Sequence, residues 1–68
     1  MSASILRQLW SVIEETQTHR LLKLSDSDLV KQLLAQFQIH HPLSGEETQE
    51  IQVYLANRLS LIRDMAQA

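Results

Sequence analysis

Apolar residues recur along most of this chain at steps of three and four, the repeat that turns one side of an α-helix toward a core. In the first segment Ile5, Leu6, Leu9, Trp10, Val12, Ile13 and Thr16 follow that rhythm. They predict a helix from about Ala3 to about Thr18. Its end is poorly marked. Thr16, Gln17, Thr18 and His19 are weaker helix formers than the residues before them, but no Gly or Pro forces a stop, so a continuation to Lys23 stays open. Leu21, Leu22 and Leu24 are too apolar for a loop in water, and the connector from Arg20 to Leu24 is expected to fold back onto the core.

Ser25 then offers a helix N-cap, with Asp26 and Asp28 in the first turn where the helix dipole favours negative charge. Leu29, Val30, Leu33, Leu34 and Phe37 form the apolar stripe of a second helix, from about Asp26 to about Gln38. Pro42 disfavours helical geometry at His41, which makes Ile39 to Leu43 a connector. The third start is the strongest local signal. Ser44 followed by Glu47 is the Ser-x-x-Glu pattern of a capping box, with Gly45 opening a helix that runs to about Ala66. Glu46, Glu47 and Glu50 sit at its positive end, and Arg58 and Arg63 lie toward its negative end. Ile51, Tyr54, Leu55, Leu59, Ile62, Met65 and Ala66 make its apolar seam, widened by Val53 and Leu61. The expected fold is all-α: a single-domain, small three-helix bundle with a long C-terminal helix. Trp10, Phe37 and Tyr54 supply one bulky core anchor to each helix.

Composition sharpens this picture more than it alters it. One Gly and one Pro among 68 residues leave few sites for tight turns and argue against a β-rich fold. A domain of this size buries only ~60% of the surface of its unfolded chain, so a monomer gains little margin from burial. With no Cys, disulfides cannot supply that margin, and thiolate metal sites and thiol redox chemistry are excluded. The lack of Cys suits a reducing compartment, and a cytoplasmic location is expected. The segment from Met1 to Val12 shows no secretory-leader pattern, and uninterrupted apolar runs fall far short of the ~20 residues of a membrane span. No membrane partner is expected.

Six Lys and Arg against eight Asp and Glu give a net charge of -2, which draws in no polyanion. The second and third helices invite comparison with a helix-turn-helix. The end that would enter the major groove, however, carries Glu46, Glu47 and Glu50, and the basic residues Arg7, Arg20, Lys23, Lys31, Arg58 and Arg63 are scattered. Direct nucleic-acid binding is therefore the alternative, not the leading reading.

Nothing in the chain demands a catalytic reaction. Adjacent His40 and His41 point in different directions in an extended connector and form no helical His-x-x-x-His pair with His19, so no metal is expected. Asp26-Ser27-Asp28 begins like a calcium loop, but Lys31 stands where Gly is required and Phe37 where Glu is required. Glu14 and Glu15 diverge by ~100° around their helix and cannot flank a substrate as a carboxylate pair. Ser25 and Ser44 are accounted for as caps, and one Gly cannot build a phosphate cradle. Neither an enzyme nor a cofactor is expected.

Leu21-Leu22-Lys23-Leu24-Ser25-Asp26 leading into Leu29-Val30 and Leu33-Leu34, then Leu43-Ser44 with Glu46-Glu47 leading into Tyr54-Leu55, Arg58 and Leu61-Ile62-Arg63-Asp64, resemble small uncharacterised helical proteins of cyanobacteria. The resemblance implies a short intracellular helical protein and brings no activity or binding residues with it.

The chain is expected to be a non-catalytic helical interaction module that self-associates, as a homodimer, and serves as adaptor or regulator of another protein. Its expected interface lies on the C-terminal helix: Ile51, Leu55, Leu59 and Ile62 as inner seam, Val53, Leu61 and Met65 as outer positions, with Arg58 beside them.

Overall fold

The computed structural model describes residues 2–67. Four helices follow one another: α1 (Ala3–Glu15), α2 (Thr18–Lys23), α3 (Asp26–His40) and α4 (Gly45–Gln67). The all-α class stands, but the expected first helix does not run unbroken to Thr18 or on to Lys23. It ends at Glu15, and α2 begins a separate turn of chain.

The break lies at Thr16 and Gln17, whose backbones are extended (ψ 137 and 132). The Thr16 N–H still reaches the carbonyls of Val12 and Ile13, and its hydroxyl donates to Val12 at 2.8 Å. These bonds close α1 in place of a C-terminal Gly. A straight continuation would carry Leu21 ~12 Å beyond Ile13 along the axis. The bend instead brings Leu21 into the core, where it is only 6% exposed. Burying a leucine is worth ~1.5–3 kcal/mol, more than the weak propensity of a Thr-Gln-Thr-His stretch to continue a helix.

The expected connector from Ile39 to Leu43 is shorter than its sequence implies. Ile39 and His40 belong to α3, which ends only at His41 (φ −137, ψ 80). Pro42 restricts the residue directly before it, and its influence reaches no further back.

The helix starts follow the local chemistry. Ser2 Oγ accepts from the Ile5 N–H at 3.2 Å, and Ser25 Oγ accepts from Asp28 at 3.3 Å. At α4 the capping box is reciprocal: the Glu47 N–H donates to Ser44 Oγ and the Ser44 N–H to Glu47 Oε1, both at 3.1 Å. Ser44→Ala is therefore expected to lower stability by about 1 kcal/mol, read as a shift of the urea midpoint with unchanged slope. A midpoint identical to wild type would mean that the box is idle in solution.

α3 is the centre of the arrangement, with α1 packed on it and α4 along it, while α2 packs on α4. The core comprises Leu9 and Ile13 of α1, Leu21 of α2, Leu29, Leu33, Leu34 and Phe37 of α3, and Ile51, Leu55, Leu59 and Ile62 of α4. Among the described residues no polar side chain is buried with it. Of the three expected anchors, Phe37 is fully buried, whereas Trp10 and Tyr54 are half-buried at the rim. The molecule measures 31 × 21 × 20 Å, and α4, at ~1.5 Å per residue, runs its whole length.

Candidate interaction surface

Two sides of α4 do different work. Ile51, Leu55, Leu59 and Ile62, spaced four, four and three apart, are at most 7% exposed and face the other helices of the same chain. In the folded monomer they are already covered, so only the remaining positions are open to a second chain. Those positions are exposed: Val53 at 62%, Leu61 and Met65 at 48% each. At ~100° per residue Val53 sits about 160° around the helix from Leu55.

A second stripe emerges beside the core seam. Tyr54, Arg58, Leu61 and Met65 follow at steps of four, three and four, so they lie along one edge of α4. The Arg58 guanidinium carbon lies 5.0 Å from the Tyr54 ring centroid, within cation–π range. Trp10 meets the same tyrosine edge-on, with ring centroids 6.5 Å apart at 85°, and its indole N–H donates to the Tyr54 hydroxyl at 2.9 Å. The hydrogen bond explains why two large rings settle at the rim. Each keeps its polar atom satisfied while shielding the apolar face.

Around this pair runs an open groove of about 530 Å³ between α1 and α4, bounded by Leu6, Arg7, Trp10 and Glu14 on one side and Tyr54 on the other. A smaller recess of about 190 Å³ continues the seam, shares Glu14, and is walled by Ile13, Leu21, Ile62 and Met65. The α1 side of this surface was not legible in the sequence, because Leu6 and Trp10 read as ordinary members of a core-facing stripe. Only the position of α4 relative to α1 leaves them at an edge.

Arg63 has a role that sequence reasoning also missed. It reaches across to α2 and donates to the carbonyls of Leu21 (3.2 Å), Leu22 (3.3 Å) and Leu24 (2.9 Å), and to Asp26 Oδ1 (2.9 Å). The last carbonyls of a helix have no internal partners, and α2 has no C-terminal Gly to turn them inward. That deficit was a signal for some distant donor. Its identity, about forty residues away, was not readable.

The histidines do not converge. His19 and His40 are exposed on different helices, and His41 stacks on Phe37 with centroids 4.9 Å apart at 27°. Among the described residues no group of three or more His, Asp or Glu is placed to hold a metal ion, and no helix is long and apolar enough to cross a membrane. Compared with known proteins, the chain matches no family model, no curated protein and no solved structure.

Proposed function

We propose that this chain is a non-catalytic helical interaction module, a homodimer in the cytoplasm that acts as adaptor or regulator of another protein. The observation that carries this reading is the exposure of Val53, Leu61 and Met65 on α4, outside the seam that faces its own core. Single exposed apolar residues are ordinary on a protein surface. Leu61 and Met65 on one edge of α4, in line with the Tyr54–Arg58 pair beside an open groove, make a patch that gains by being covered.

A two-fold dimer uses the same patch on both copies, so a single helix edge serves as both donor and acceptor of contacts. Docking of the Leu61–Met65 edge into the α1/α4 groove of a second copy is the helix-in-groove mode. The marginal burial available to a domain of this size favours such a partner.

Sedimentation equilibrium or light scattering across a wide concentration range tests the reading. The wild-type chain is expected to show a concentration-dependent dimer. Leu61→Asp should weaken it at least ~30-fold, the equivalent of a 2 kcal/mol hot spot, with helical circular dichroism unchanged. A wild-type protein that stays monomeric at the highest concentrations rules out self-association.

A further inference from the structure

We infer that α2 is a strap latched by Arg63, which opens as a unit while α1, α3 and α4 stay folded, and in opening uncovers the recess between α1 and α4.

First, α2 is six residues long, far below the ~12–15 at which an isolated helix becomes even marginally stable, so it persists only through what holds it. Second, what holds it comes chiefly from one neighbour, α4, on which it packs, with Leu24 at its C-cap resting on the edge of the core. Of the eleven buried core residues only Leu21 belongs to α2, and Gln17 at its N-terminus provides no side-chain cap. Its C-terminal carbonyls depend on the one guanidinium of Arg63, whose side chain is 24% exposed and therefore within reach of competing water.

Third, both ends are already non-helical. Thr16 and Gln17 precede α2 and Leu24 and Ser25 follow it, all with extended ψ values between 132 and 162. These two pairs, one on each side of α2, are places where the backbone can rotate without first breaking a helix. The ten residues from Thr16 to Ser25 span up to ~33–36 Å when extended, more than the 31 Å long axis of the molecule. The strap can therefore leave its seat without pulling α1 away from α3.

Fourth, there is space beneath it. The recess of about 190 Å³ has Leu21 as part of its wall, opposite Ile13, Ile62 and Met65. Withdrawal of Leu21 turns this recess into an open apolar cleft continuous with the groove beside Trp10, the two sharing Glu14. The other ten core residues lie on α1, α3 and α4 and keep their contacts with one another. Local opening of this kind, with a stability below that of the whole fold, is the behaviour of a separate cooperative unit.

Amide hydrogen exchange by NMR tests the strap in the intact protein. In the wild type, the amides of Leu21 and Leu24, which donate to the Gln17 and Arg20 carbonyls, are expected to be at least tenfold less protected than those of Leu33 and Leu55. Their exchange should respond only weakly to urea, since little surface is exposed on opening. In Arg63→Met they should approach free-peptide rates while Leu33 and Leu55 stay protected at least a hundredfold. The same variant should brighten anilinonaphthalene sulfonate several-fold over wild type, reporting the open cleft.

Equal protection and equal urea dependence at all four amides would overturn the inference, because α2 would then open only with the whole fold. Strap exchange in Arg63→Met within threefold of wild type would eliminate the latch. Loss of helical circular dichroism in that variant would also overturn the proposal, which requires the remaining bundle to survive, and an unchanged dye signal would show that no cleft opens.

Discussion

Replacing Phe37 by alanine is expected to lower the stability of this protein by about 3–5 kcal/mol, the usual range for removing a buried aromatic ring. Phe37 is 0% exposed, lies on the central helix, and is the one aromatic residue wholly inside the core. The His41 ring stacks on it, so truncation also strips the end of α3 of its stacking partner. A domain of 68 residues has a total stability of roughly 3–10 kcal/mol at typical values per residue. The substitution therefore removes between a third and all of it. Urea denaturation followed by circular dichroism measures the effect, and a loss under about 1 kcal/mol would contradict the placement of this ring.

Leu55→Asp is expected to leave the chain unfolded at neutral pH, whereas Leu61→Asp on the same helix changes monomer stability by less than about 1 kcal/mol. Leu55 is 0% exposed, in a core where no polar side chain is buried among the described residues. An aspartate there forfeits ~2–5 kcal/mol of packing and strands a carboxylate with no donor to meet it, a further penalty of several kcal/mol. The sum exceeds what so small a domain can lose. Leu61, at 48% exposure, presents its new charge to water. Thermal melts of the two variants separate the inner side of α4 from the outer. A cooperative melt for Leu55→Asp would mean that the inner seam is not where the core lies.

The contrast between these two leucines also shows how the candidate surface is divided. As a sequence, α4 presents one broad apolar band, with Leu55 in its inner seam and Leu61 at its outer edge, and both were expected at the interface. Periodicity gives each residue an angle about the helix axis, and angle alone does not say how far neighbouring helices wrap around. The three other helices cover the arc containing Ile51, Leu55, Leu59 and Ile62 and stop short of Val53, Leu61 and Met65. The residues available to a partner are thus fewer than the band implied, and they gain Leu6, Arg7 and Trp10 from α1.

What the sequence determined by itself was everything that a few neighbouring residues can decide. Ser25 and the Ser44–Glu47 box place two helix starts because a side-chain oxygen and an orphan N–H meet within four residues. The stripes on α3 and α4 mark their core faces because helical spacing is a local geometric rule. The tertiary structure alone decided the break at Thr16 and Gln17, the separate turn of α2, the Trp10–Tyr54 pair and the hold of Arg63 on three carbonyls. Each of these joins residues far apart in the chain, or trades a weak local preference for burial on a distant helix. Propensities of a few tenths of a kcal/mol per residue yield to the burial of a single leucine. Which leucine is buried, and against what, becomes defined only once the helices have met.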